Sequence, residues 1–154
     1  MTSLPLLLIV ASSPQAADVT VTGVATEPRL LRLANDADMT ALDLHGVARI
    51  ELDFPKFTDG RAFSQAVVLR RRHGFVGDIR AGGDVRVDLL QQLSRCGFSS
   101  AVLPSAQEVA LGQQLLAGFS GFYQGDALQA APHFVHQPIH PPVTPVANST
   151  GARA

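Results

Sequence analysis

Four short apolar segments, starting near residues 19, 47, 76 and 99, alternate along the chain with segments of helical spacing. β-type segments separated by helix-type segments at similar intervals are the pattern of right-handed βα units, and such units build a parallel sheet. Val19-Thr20-Val21-Thr22-Gly23-Val24 is the first, rich in β-branched residues. Asn35 or Asp36 can cap a short helix over Ala37 to His45, with Gly46 placed to stop it. From Arg49 to Phe54 the alternation puts Ile50, Leu52 and Phe54 on one face and polar residues on the other, until Pro55 ends the ladder.

Helical spacing then runs from Arg61 or Ala62 to His73, and Gly74 is its expected stop. The basic run Arg70-Arg71-Arg72 falls in the last turn, where it complements the helix dipole as a solvated helix end. Phe75 to Arg80 reads as the next strand, and Asp84 caps a helix with a stripe of Val85, Leu89, Leu90, Leu93 and Cys96, closed by Gly97. Phe98 to Leu103 is the last strand, and Pro104-Ser105 opens a helix over Ala106 to Ala117. The expected fold class is α/β, about four βα units with a parallel sheet arranged as a half-barrel or a small doubly wound sheet.

A chain of 154 residues suits one domain, which buries roughly 70% of its unfolded surface. The expected division is an N-terminal segment 1–18, an α/β domain 19–124, and a Pro-, His- and Ala-rich tail 125–154 that is expected to be disordered. Twelve Lys and Arg against thirteen Asp and Glu give a net charge of -1, without the basic surplus that nucleic acid demands. No stretch approaches the ~20 apolar residues of a membrane span. The apolar start, Leu4 to Ala11, has no Lys or Arg before Arg29 and Gln15 where a cleavage site wants a small residue, so it reads as a buried strand or loose terminus rather than an export signal. The lone Cys96 excludes an internal disulfide and suits a reducing compartment, so a cytoplasmic location is expected.

In parallel α/β folds, ligands bind beyond the carboxyl ends of the strands. At the first legible end lie Asp53, Lys56, Asp59 and Arg61; at the second, Arg80, Gly82, Gly83 and Asp84; the third offers Ser105. A glycine pair entering a helix can present amides to a phosphate, sulfate or sulfite, with Lys56, Arg61 or Arg80 supplying charge. The same Gly-Gly-Asp is also an ordinary turn with an N-cap aspartate. Asp59 and Asp84 are the candidate acid–base groups, although caps and ion pairs are the commoner use of loop aspartates. Ser64 has no histidine base near it in sequence, and Cys96 at a helix C-terminus reads as a packed thiol. His133, His136 and His140 have metal-like spacing, but Pro138 and Pro141 forbid a regular helix, so no metal site is expected.

From about Leu42 to Gln124 the chain resembles a bacterial family of unknown function often encoded beside sulfite-reductase and sulfate-assimilation genes. The resemblance is carried by Leu52-Asp53-Phe54-Pro55-Lys56-Phe57-Thr58-Asp59-Gly60-Arg61-Ala62-Phe63-Ser64, by Leu69 to Ala81, by Gly83-Asp84-Val85 with Asp88, and by Arg95-Cys96-Gly97-Phe98. The chain departs from the family pattern after Asp88, with Leu89-Leu90 in place of Gln-Leu, and over its first forty residues. The resemblance implies a role in sulfite reduction, either as an accessory or regulatory protein with sulfite reductase or another sulfur-assimilation protein as partner, or as a small oxidoreductase that binds a sulfur oxyanion or a phosphorylated metabolite. It names no cofactor, and the residues carry no flavin, nicotinamide, cluster or haem signature.

Overall fold

The computed structural model describes residues 6–11, 29–118, 122–132 and 135. Five strands, β1 (Leu7–Val10), β2 (Arg29–Leu33), β3 (Val47–Phe54), β4 (Asp78–Gly83) and β5 (Ser100–Leu103), form one sheet in the order β1-β5-β4-β3-β2. Every pairing is parallel. Helices α1 (Arg61–Arg71), α2 (Leu90–Cys96) and α3 (Ala106–Ala117) follow β3, β4 and β5 in turn, and a 3-10 turn at Val87–Leu89 leads into α2. Helix α1 packs on α2 and α2 on α3, while α1 touches β3 and α3 touches β5 and β1. All three therefore cover one face, and β2 to β5 run in chain order, as in half of a barrel.

The strand alternation explains the core. Ile50, Leu52 and Phe54 of β3, Ile79 and Ala81 of β4, and Ala101 and Leu103 of β5 are fully buried against Ala62, Ala66 and Leu69 of α1 and Leu90 and Leu93 of α2. Each buried leucine or phenylalanine stabilises by about 1.5–3 kcal/mol relative to exposure. Phe54 anchors an aromatic group, edge-on to Phe63 at 5.2 Å and tilted to Phe98 at 6.0 Å. The opposite face carries the other half of the alternation: in register stand Arg32, Glu51, Arg80 and Ser100 in one row and Arg49 and Asp78 in the next.

Several expectations shift. The helix expected over Ala37 to His45 is absent; the segment runs in turns because Asp38 accepts the Thr40 amide and hydroxyl at 2.8 Å and Asp43 accepts the His45 amide at 3.0 Å. Such aspartates offer the backbone a local partner in place of the helical one. Strand β2, in the chain just before it, was not among the expected strands, and the expected strand at Val19 to Val24 lies outside the described residues. Strand β4 starts three residues later than Phe75, and Gly82 and Gly83 are its last residues rather than a turn. The helix expected from Asp84 begins instead with the 3-10 turn at Val87, and no side chain caps α2. Its end is as expected: Gly97, at φ +96°, closes α2, and the Phe98 amide reaches back to the Leu93 carbonyl at 3.1 Å. Ser105 caps α3, its hydroxyl accepting the Glu108 amide at 3.2 Å.

Candidate functional site

Beyond the carboxyl end of β3 the chain turns at Pro55 and reaches α1 at Arg61. Within that turn Asp59 receives a two-pronged bond from Arg61, Nε to Oδ1 at 3.0 Å and a terminal nitrogen to Oδ2 at 2.7 Å. Asn35 adds a third bond to Oδ2 at 2.6 Å, drawing the turn toward the end of β2. The Arg61 guanidinium holds the Asp59 carboxyl down at about 2, and the pairing raises Arg61 in return. A carboxylate so stabilised is a poor proton carrier near neutral pH. Lys56 is exposed and has no ion pair among the described residues. Ser64 lies on the exposed side of α1.

Asp84 faces the same edge but works on a different part of the turn. Its Oδ2 accepts the Phe57 amide at 3.0 Å, and its Oδ1 lies 3.5 Å from Nε of Arg86. The Arg86 guanidinium in turn sits 4.1 Å above the Phe57 ring. Asp84 therefore latches the β3–α1 turn to the end of β4, and Asp59 latches it to the end of β2. The two carboxylates thus have separate partners, Arg61 and Asn35 for Asp59 and the Phe57 amide and Arg86 for Asp84.

Gly83 is required where it stands, whereas Gly82 has only the flexible end of a side chain in its way. A Cβ on Gly82 would lie 2.9 Å from the Glu51 carboxylate, and one on Gly83 would collide with the Phe54 carbonyl oxygen; Gly83 also has φ +86°. Both glycines stand in register with β3, Gly82 beside Asp53 and Gly83 beside Phe54, and Gly83 is four residues before the first helical turn at Val87, so the pair does not form a helix N-terminus.

Arg80 does not converge with Arg61. It is buried on the face of the sheet opposite the helices, where Nε donates to Ser100 Oγ at 3.3 Å and a terminal nitrogen lies 3.8 Å from Asp78. Asp78 is the hub of that face: Oδ1 accepts from Ser99 at 2.6 Å and Ser100 at 2.8 Å, and Oδ2 from Arg49 at 2.7 Å. Burial pushes the Asp78 carboxyl up, but the two hydroxyls and the Arg49 guanidinium outweigh it and hold it below the ordinary carboxylate value. Burial, with Arg49 nearby, lowers Arg80. Arg49, Asp78, Ser99 and Ser100 were not candidates from sequence; the polar positions alternating with Ile50 and Leu52 in β3 are the only signal that marked this face.

At the amino ends of β4 and β5, opposite the strand ends just described, an open cleft of about 650 Å³ lies between α1, the 72–77 loop and the segment 122–132. Its walls are mostly apolar, with Phe75 and Phe98 buried at its base, Val76 96% exposed and Leu128 43% exposed. The segment 122–132, of which 125 onward falls in the tail expected from composition, docks on the helix ends: the Ala127 amide donates to the Arg95 carbonyl at 2.9 Å, and Arg71 donates to the Asp126 carbonyl at 2.8 Å. Residues 125–132 therefore pack with the α/β unit.

Cys96 is buried, burial pushes its thiol up, and Gln92 donates to its sulfur at 3.3 Å. That is the environment of a packed thiol. His133, His136 and His140 lie outside the described residues. No helix of the described residues is long and apolar enough to cross a membrane.

No curated protein and no solved structure matches the chain. A family profile described as a bacterial protein of unknown function (DUF934) does match, over residues 30–134, from the second residue of β2 to past the docked segment, and the chain belongs to that family.

Proposed function

We propose that this chain is an accessory or regulatory protein of assimilatory sulfur reduction that acts by binding a partner, with sulfite reductase or another sulfur-assimilation protein as that partner. The sulfur assignment rests on the sequence resemblance described above. The binding role rests on one observation: the candidate acid–base groups, Asp59 and Asp84, are held by Arg61, Asn35 and the Phe57 amide, while the open cleft at the other end of the sheet is apolar. Fixed, mutually satisfied charges suit a scaffold; an apolar concavity suits association.

Deletion of the gene, followed by growth on sulfate, sulfite or cysteine as sole sulfur source, tests the assignment. Failure on sulfate and sulfite with normal growth on cysteine is the expected pattern. Normal growth on sulfate would refute it. The alternative, a small enzyme taking a sulfur oxyanion or a phosphorylated metabolite, is left with the β3–α1 turn, where Lys56 is exposed, and predicts a rise in Tm with sulfite that Lys56→Ala abolishes.

A further inference from the structure

We propose that the cleft between the 72–77 loop and the segment 122–132 receives an acidic segment of a partner protein, with one apolar side chain as its anchor. This deepens the binding role above and rests on it, though not on the sulfur assignment.

The first reason is the way Val76 is presented. Arg70 donates through one terminal nitrogen to the Phe75 carbonyl at 2.7 Å and the Gly77 carbonyl at 2.8 Å, on either side of Val76, and through Nε to the Gly97 carbonyl at 2.8 Å. A half-buried guanidinium thus fixes the backbone of a valine whose side chain is 96% exposed. An apolar side chain held rigid in solvent has its ordering cost met by folding, which is the condition for a good contact residue.

The second reason is what the cleft lacks. Most of its lining is apolar, and its polar side chains already work within the protein: Ser99 donates to Asp78, Asp78 is held by Ser100 and Arg49 as well, and Arg70 is bonded to three carbonyls. A polar group set against this mostly apolar surface would lose water for few partners, so the inserted group is apolar. Phe75 and Phe98 are the buried part of its lining, and Val76 and Leu128 the exposed part.

The third reason is charge. Arg70, Arg71 and Arg95 hold main-chain carbonyls at or beside this cleft, and neither they nor exposed Arg72 pair with a carboxylate among the described residues. Asp78 is matched by Arg49, and Asp126, which accepts the Leu128 and Gln129 amides, leaves one negative charge beside four arginines. The surroundings are therefore positive in a chain whose net charge is -1. Acidic flanks on the partner complement this rim, whereas a second copy would bring two arginine-rich rims together.

The test uses the full chain and a fluorescein-labelled peptide, Glu-Asp-Glu-Leu-Phe-Glu-Asp, read by fluorescence anisotropy. Binding is expected, weakened about tenfold or more by Val76→Asp or by alanines in place of the peptide's Leu-Phe. Arg72→Glu weakens it as well, and so does added salt. Val76 and Arg72 are exposed, so these variants keep the wild-type circular dichroism and melting. The proposal is overturned by absence of binding, by equal affinity for a lysine-flanked control, or by binding that Val76→Asp leaves unchanged. Displacement by polyuridylate overturns it in favour of nucleic acid; self-association abolished by Val76→Asp overturns it in favour of a second copy. Peptide binding together with normal growth of the deletion strain supports the proposal while removing the sulfur assignment.

Discussion

Replacing Arg70 by methionine isolates the role of its guanidinium, because methionine keeps an unbranched stem against Phe75 but cannot donate a hydrogen bond. The variant loses bonds of 2.7, 2.8 and 2.8 Å to the carbonyls of Phe75, Gly77 and Gly97. Charge-assisted bonds contribute about 1.5–3 kcal/mol each when the acceptors are left dry. The site is half-buried and water can reach part of it, so about 1 kcal/mol per bond is the better figure, or about 3 kcal/mol in all. Against the roughly 5–15 kcal/mol of a typical domain this is a large share, and at roughly 2–4 °C per kcal/mol it lowers Tm by about 6–12 °C. Urea unfolding with an unchanged m-value measures the loss. Arg70→Lys should recover little of it, since an ammonium cannot span carbonyls on both the 72–77 loop and the α2 end. A loss below about 1 kcal/mol for Arg70→Met, or full recovery with lysine, would refute the argument that the planar fork ties the two segments together.

Two further outcomes follow from the strand ends. The Asp59 carboxyl should titrate at about 2 by carbon NMR and move up toward its ordinary value of 3.8 in Arg61→Ala. A carboxyl depressed in the folded chain contributes stability above its unfolded value and loses it as pH falls, here between 3.8 and about 2, so Arg61→Ala should flatten that part of the acid limb; an unmoved Asp59 titration would show that Arg61 is not the cause. Gly83→Ala should cost about 2–3 kcal/mol, because it combines φ +86° with a collision on the Phe54 carbonyl. Gly82→Ala meets only the flexible end of Glu51 and should cost about 1 kcal/mol; the reverse order in chemical denaturation would contradict the placement of these glycines.

The legible parts of the fold are those where a local signal and the tertiary demand agree. In β3, alternation put Ile50, Leu52 and Phe54 inside because a sheet covered on one face needs that alternation. The ends of α2 and α3 at Gly97 and Ser105 were legible because a left-handed glycine and a hydroxyl cap act through the backbone of their own helix. Where signals competed, the sequence alone did not show which would win. Asp36 was a plausible cap for a helix over 37–45, yet Asp38 and Asp43 fold that stretch into turns that tuck Met39, Leu42 and Leu44 against the core. In β4 the expected start was Phe75, and the pairing of Ile79 and Ala81 with Ile50 and Leu52 belongs to a strand that starts at Asp78.

The candidate site divides in the same way. Sequence brought Asp59, Arg61 and Asp84 to one edge of a parallel sheet, because strand ends and helix starts are local features. It could not show that Asp59 is held by Arg61 and Asn35, that Asp84 takes the Phe57 amide, or that Arg80 points to the other face beside Ser100. Those depend on which strands are neighbours, and Arg80 and Ser100 are adjacent only because β4 and β5 pair in that register.

By itself, then, the sequence determined the α/β class, the parallel sheet, the inward face of β3 and the family, since each follows from periodicity or from residues close together in the chain. Tertiary structure alone decided the strand order, the charged face centred on Asp78 and the cleft beside Val76. The reason is physical: Arg70 and Gly97, Asp78 and Ser99, and Val76 and Leu128 are distant in the chain, and only the packing of α1 and the 122–132 segment around the ends of β4 and β5 brings them to one place.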